Sequence, residues 1–200
     1  MLITAIEPRR KGLSALYLDG EFAVSLDTQT LLENRFDVGR EVSDGELKDI
    51  IEKSGERRAK EKALWLISYR DHTKKELQDK LRRTCDAQSA EKAADRMEEL
   101  GLVNDEQYAQ RYARRLRLEK RLTRRAALFE MTRKGIDKQT AEEALGAVDV
   151  DYRDNIRALI EKKYRSIGDE KTKRRAVAAL QRLGYGWDDI RAVLEEYEEQ

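Results

Sequence analysis

The 200-residue chain holds one cysteine, one histidine and one proline. A single thiol and a single imidazole exclude a cysteine/histidine zinc cluster, an internal disulfide and any site that needs two histidines. The longest wholly apolar run is Ala63 to Ile67, far short of the roughly 20 residues that cross a bilayer. Met1 to Glu7 reaches an acid before a signal-peptide core forms, so a cytoplasmic protein in a reducing compartment, with no membrane contact, is expected. Aromatic residues make up only 6% and hydrophobic residues 40%, which disfavours one deep core and favours an extended array of helices. Neither Gly-x-x-x-x-Gly-Lys-Ser/Thr nor Gly-x-Gly-x-x-Gly occurs, so nucleotide hydrolysis and dinucleotide chemistry lack support. His72 reads as an exposed turn residue and Cys85 as a small core or helix-end residue, so a Cys–His dyad is not expected. Asp105 and Glu106 read as helix-start residues. We therefore expect no enzymatic activity, no cofactor and no metal.

Charge is abundant instead. Lys and Arg number 41 against 40 Asp and Glu, and 40% of the chain is charged, where about 25% is usual. The near balance hides a segregation: residues 57–134 hold 22 basic and 13 acidic side chains, while 1–56 hold 7 and 12. Within 111–134 the count is 10 basic to 2 acidic. Such a local excess creates its own field whatever the total charge, and it suits a polyanionic or acidic partner.

The first thirty residues read as a small antiparallel sheet. Leu13–Leu18 and Phe22–Leu26 flank Asp19-Gly20, a two-residue hairpin signal, with Leu2–Ile6 as a third strand and Phe22, Val24 and Leu26 expected on one face. Ser43-Asp-Gly-Glu46 matches a capping box and predicts a helix able to cover that sheet. From about residue 57 onward apolar residues recur at three and four with no proline, so the remainder is predicted nearly all helical. Gly101, Gly135 and Gly184 are placed to end helices in left-handed caps, and Asn104, Asp105 and Asp137 to start the next ones.

An internal repeat organises this helical part. Thr73-Lys74-Lys75, Thr123-Arg124-Arg125 and Thr172-Lys173-Arg174 are spaced by 50 and 49 residues. Four positions after each Thr stand Leu77, Ala127 and Ala176; eight after, Leu81, Met131 and Leu180; twelve after, Cys85, Gly135 and Gly184. Apolar helices flank each copy, the following ones carrying Ala90, Ala93, Ala94, Met97 and Leu100; Ala141, Ala144, Leu145 and Val148; and Ile190, Val193, Leu194 and Tyr197. The fold class is thus mostly α: three three-helix units at 57–101, 102–148 and 149–200, stacked as a curved rod behind a β domain at 1–56.

A Thr cap, free N–H groups and two basic side chains together describe an anion-binding corner. Arg111, Arg114, Arg115, Arg117, Lys120, Arg121, Arg124 and Arg125 fall within 111–125, and 111, 114, 115 and 121 share a helical stripe able to track a phosphate backbone or an acidic groove. A merely solvated face without carboxylates would repel itself, which favours binding. Trp65, Tyr69, Tyr108, Tyr112, Tyr152 and Tyr164 invite comparison with base-stacking platforms, but helical spacing favours packing.

Three segments, Ala63-Leu-Trp-Leu-Ile-Ser-Tyr-Arg70-Asp-His-Thr-Lys-Lys-Glu76-Leu77, Leu100-Gly-Leu-Val-Asn-Asp105-Glu-Gln-Tyr-Ala109 and Glu130-Met-Thr-Arg-Lys-Gly135-Ile136, resemble in order and spacing the signatures of RecX, the bacterial regulator of the RecA recombinase. The resemblance is good over about 57–148 and looser in the third repeat. It implies a non-enzymatic modulator of homologous recombination and the SOS response that enters the groove of the RecA filament on single-stranded DNA. Members inhibit ATP hydrolysis, strand exchange and co-protease activity, often by promoting disassembly. On that reading the contacts to RecA and single-stranded DNA fall to Lys74, Lys75, Arg111, Arg114, Arg115, Arg121, Arg124, Arg125, Lys173 and Arg174, in a chain acting as a monomer. Cys85 stands where a glycine commonly closes the first repeat, and Arg121-Leu-Thr123 replaces a glycine-containing turn, which leaves both geometries open. Arg70 reads as a packing or capping residue. Two other readings stay open: a stand-alone DNA- or RNA-binding module, and a purely structural helical adaptor.

Overall fold

The computed structural model describes residues 1–164, 167 and 169–198. It begins with an antiparallel sheet of β1 (Ile3–Pro8), β2 (Leu13–Leu18) and β3 (Glu21–Asp27) in the order β1-β2-β3. Asp19 and Gly20 adopt φ of 50° and 89°, as a type I′ hairpin turn requires. The expected shared face of Phe22, Val24 and Leu26 does not form. Tyr17 pairs with Phe22 but Leu16 with Val24, so Ala23 is an extra residue that resets the alternation. Phe22 therefore stands beside Tyr17, edge to face at 5.9 Å, and stays exposed while Leu26 is buried.

The inner face of the sheet packs Ile3, Leu16, Leu18 and Leu26 against Leu31, Phe36, Val42 and Ile50. Leu31 belongs to α1 (Thr28–Glu33), a helix too short to register as periodicity; Asp27 caps it by accepting from the Thr30 N–H and hydroxyl, both at 2.8 Å. The capping box then opens α2 (Asp44–Tyr69), with Ser43 and Glu46 bonding reciprocally. This helix runs through residue 57 without a break. Ile50 covers the sheet, the Ser54 hydroxyl accepts from the Asp27 N–H at 2.7 Å, and Ala59 and Ala63 pack further along in the first helical core. Sheet and first bundle are thereby joined by one continuous helix.

Helices α3 (Lys74–Leu81) and α4 (Ala87–Glu99) complete that bundle. The second comprises α5 (Asp105–Arg114), continued by a π-helical turn Arg115–Glu119, then α6 (Arg124–Arg133) and α7 (Lys138–Gly146); the third comprises α8 (Tyr152–Tyr164), α9 (Glu170–Arg182) and α10 (Trp187–Glu198). The repeat positions are the core positions: Leu77, Ala127, Ala176, Leu81, Met131 and Leu180 are all buried. Burial of these side chains against the flanking helices is the main source of stability here, since helices this short are marginal alone. Gly101, Gly135 and Gly184 take φ of 68°, 86° and 95°, the left-handed caps expected. At Cys85 the chain closes α3 differently, with the Thr84 and Cys85 N–H groups both donating to Leu81 O, and Cys85 packs half-buried against the core. Leu100 is exposed, having fallen on the cap rather than the inner face of α4. By contact density the chain divides into two compact units, Met1–Asn104 and Asp105–Gln200. No helix among the described residues is long and apolar enough to cross a membrane.

Two local expectations are corrected. Thr172 is not a cap: α9 starts earlier, at Glu170, and the Asp169 carboxylate accepts from the Thr172 N–H at 2.8 Å. Asp caps at least as well as Thr, so the helix gains most of a turn by starting there. His72 is buried rather than exposed; its Nδ1 lies 2.8 Å from Arg70 O and its Nε2 2.9 Å from the Lys80 ammonium. Burial first, then the Arg70 and Lys80 charges, lower its pKa, which fits a neutral ring donating through Nδ1 and accepting at Nε2.

The capping box makes a pH prediction. The Ser43 N–H, then Arg40 and the Ser43 hydroxyl, hold the Glu46 carboxylate at about 2, well below its ordinary 4.5. A depressed folded-state pKa contributes stability above the unfolded value and loses it as pH falls toward the folded one. Thermal unfolding between pH 7 and pH 2 should show Glu46→Gln less stable than the parent at neutral pH, with the gap closing as pH falls from about 4.5 toward 2.

Candidate partner and nucleic-acid interface

The densest basic segment lies in the second unit, where helix geometry sorts its side chains. Ala109 and Ala113 on α5 and Leu116 in the turn that continues it form one buried face, which leaves Arg111, Arg114 and Arg115 exposed. The π-helical turn adds a residue to the next turn, so Leu116 and Arg117 are both buried. Arg117 donates to Leu122 O at 2.9 Å and lies over the Tyr152 ring at 5.2 Å. It belongs to the fold, not to the surface.

Arg121 also turns inward. Its backbone is left-handed, φ 52°, at the position where the sequence lacks a glycine. Two long-range bonds hold it there: Tyr185 donates its hydroxyl to Arg121 O at 2.6 Å, and the Arg121 guanidinium donates to the Asn155 side-chain oxygen at 2.7 Å. Burial pushes the Tyr185 phenol up to about 12. Immediately after, the Thr123 N–H donates to Leu183 O at 3.1 Å. Gly184 is packed so closely on Thr123 that a Cβ there would overlap its hydroxyl. The end of α9 thus rests on the start of α6.

That start is the most basic of the three, but its N–H groups are not all free as expected: Thr123 is buried, the Arg124 N–H donates to the Tyr152 hydroxyl at 3.1 Å, and the Arg124 guanidinium reaches Glu142 O at 3.4 Å. Thr123 caps α6 by accepting from the Ala126 N–H at 3.3 Å, the first turn carries no acid, and Arg124 and Arg125 are exposed without an ion pair to any described residue. At α3 the corner is occupied: the Lys74 ammonium lies 2.8 Å from Asp95 and 2.6 Å from Glu98, bonds that raise its pKa, while Lys75 remains exposed. At α9 the corner is acidic, because Asp169 and Glu170 open the helix and Lys173 and Arg174 lie a turn inside, Arg174 paired with Glu170 at 3.2 Å. Arg115 keeps only a loose 3.8 Å pair with Glu119, and Arg114 lines a 340 Å³ cavity between α5 and α7 that Glu106 and Glu143 also line. Arg70 is a connector, forking onto Glu76 across the α2–α3 turn.

One surface feature escaped the sequence reading. Phe129, on α6, is 65% exposed in a 580 Å³ cleft between α6 and α9 that Arg125 and Arg182 also line. Its signal was present in the repeat: the sixth position after the Thr holds Asp79, Phe129 and Ala178, so a phenyl group occupies a slot that is polar or small elsewhere. Among the described residues no three His, Cys, Asp or Glu side chains are placed to hold a metal ion.

Comparison with known proteins bears on what this surface serves. Three family models match in order: the first three-helix domain of RecX over residues 59–97, the second over 104–145 and the third over 151–194. The chain belongs to the RecX family. It is 30% identical to the regulatory protein RecX of Clostridium tetani, an alignment covering 94% of this chain and 90% of that one. With the RecX of Amycolatopsis mediterranei identity is 34%, over 64% of this chain and 77% of the relative. A crystal structure of a RecX regulatory protein superposes with a TM-score of 0.63 at 20% identity, covering 97% and 98% of the two chains; that of RecX from Lactobacillus salivarius gives 0.57 at 22%, covering 73% and 98%. The first superposition covers nearly the whole chain, so the shared fold extends to the amino-terminal sheet. As a RecX-family regulator, the chain presents its three-helix repeats with different surfaces, the α6 corner being the basic one.

The junction that positions this corner is open to test. Gly184→Ala forces a Cβ into Thr123 on a left-handed backbone and should destabilise the second unit by about 1–3 kcal/mol in denaturant unfolding. A raised folded-state pKa keeps its stabilising effect below the unfolded value and loses it above. The parent should therefore lose stability between about pH 10 and 12, and Tyr185→Phe should remove that part of the alkaline transition.

Proposed function

We propose that this protein regulates the RecA recombinase by docking the basic α5–α6 surface onto the RecA filament on single-stranded DNA, and that it inhibits the filament's ATP hydrolysis, strand exchange and co-protease activity. The observation that carries this reading is the acid-free start of α6, with exposed Arg124 and Arg125 in the same three-helix unit as exposed Arg111, Arg114 and Arg115, in a chain of the RecX family. A filament groove lined by acidic protein and phosphate attracts such a surface over a distance set by salt screening. Lys75 is a separate exposed cation of the first repeat; Lys74, Arg121, Lys173 and Arg174 contribute less, because other groups of the chain engage them. The protein acts as a cytoplasmic monomer without cofactor or metal, its three repeats at 57–101, 102–148 and 149–200 serving as contact modules. Attraction and placement are its function; no bond is made or broken by its own side chains.

The deciding experiment measures RecA ATP hydrolysis on single-stranded DNA with the protein added below stoichiometry, beside a titration of naked DNA in the same salt. Suppression is expected well below the concentration that saturates naked DNA, and it should weaken as salt rises. Arg124→Glu with Arg125→Glu should lower inhibitory potency by about tenfold or more without changing the melting temperature, since both side chains are exposed. An unaltered potency removes the α6 corner from the interface; suppression only when free DNA is coated favours a general nucleic-acid binder.

A further inference from the structure

Helix α2 carries a second surface that docking through α6 does not use. Residues 58, 62, 65 and 69 fall on one face by the 3.6-residue repeat, over a length of about 16 Å. They are Arg58, Lys62, Trp65 and Tyr69. The flank of the same helix, about a quarter to a third of a turn round, buries Ala59 and Ala63, while Arg58, Trp65 and Tyr69 are exposed and Lys62 half-buried. Trp65 is 50% exposed and Tyr69 71%, against the packing expected from their spacing. The two rings meet edge to face at 4.6 Å, and the Lys62 ammonium stands over the Trp65 ring at 3.6 Å. Arg58 is exposed and makes no ion pair with any described residue, and the nearby Glu61 lies off the stripe, 3.5 Å from Arg57. The result is a row of two cations followed by two solvent-facing aromatic rings in mutual contact, with no carboxylate on it.

We infer that this stripe is a stacking platform for single-stranded nucleic acid. Bases offer π-faces to Tyr69 and Trp65 while the adjoining backbone phosphates meet Lys62 and Arg58, the combination by which single strands are held without sequence preference. A protein partner of apolar surface would gain little from the two cations, and an acidic one little from the rings. A single strand uses both at once. The platform lies wholly within the first unit and requires neither the α6 corner nor a recombinase, so it goes beyond the docking reading and stands or falls separately from it.

Trp65 reports on its own site. The chain has two tryptophans, and Trp187→Phe leaves Trp65 as the single indole emitter. With that variant of the full chain and a single-stranded oligothymidylate, Trp65 emission should be quenched in step with binding followed by the anisotropy of a labelled oligomer. Trp65→Ala with Tyr69→Ala should weaken binding by about tenfold or more at unchanged helicity and melting temperature, whereas Tyr69→Phe, which keeps the stacking face, should retain it. The Arg124→Glu, Arg125→Glu background should still quench at saturating oligomer, separating this platform from the α6 corner. Emission that stays flat while the oligomer binds to saturation would overturn the proposal. A change in Trp65 emission that appears only with an assembled recombinase filament would equally overturn it, assigning the stripe to a protein contact.

Discussion

The contact between the end of α9 and the start of α6 is the constraint on which the basic surface depends. Leu183 O accepts the Thr123 N–H, Gly184 lies against the Thr123 side chain, and Tyr185 holds the carbonyl of a left-handed Arg121. Each bond taken alone is worth about a kilocalorie. Together they fix the direction in which the chain enters α6, and with it where Arg124 and Arg125 point. A non-glycine residue at φ 52° costs free energy, and the buried Tyr185 and Asn155 partners offset that cost.

Electrostatics differ between the repeats although their cores match. The same three-residue motif yields an ion-paired lysine at α3, an uncompensated arginine pair at α6 and an acid-led turn at α9. Divergence is cheap at these places because exposed charges contribute little to stability, typically under a kilocalorie per pair. The core positions have no such freedom: a change at Leu77 or Met131 leaves a void among buried neighbours. A repeat protein can therefore hold one fold while concentrating its partner-facing charge in one unit.

The sheet and the first bundle are coupled by α2, whose one end covers Leu16 and Leu26 and whose other end packs on Leu77 and Leu81. Ile50 on this helix belongs to the sheet core and Ala59 and Ala63 to the helical core, so one continuous element carries both. The aromatic stripe faces outward from the second of these stretches, so it is held by buried alanines that bring neighbouring backbones close.

Much of this was legible in the amino acids. Asp19-Gly20 specifies its hairpin, Ser43 and Glu46 their capping box, Gly101, Gly135 and Gly184 their left-handed ends, and the fourth and eighth positions after each Thr the core, because these depend on neighbours within a turn or on a strict period. The RecX resemblance was legible for the same reason, in ordered local patterns. Sequence alone did not decide which charges stay free. Lys74 meets Asp95 and Glu98 from the far helix of its bundle, Arg117 is drawn inward by a π-helical turn, Arg121 finds Asn155 and Tyr185 from the next repeat, and His72 is enclosed by a lysine eight residues on. Nor did it decide that Phe22 leaves its strand face at a bulge, or that Trp65, Tyr69 and Phe129 stay in water. Local sequence sets backbone conformation and periodicity, but the exposure and partners of a long side chain depend on what other elements bring beside it, and only the tertiary structure determines that.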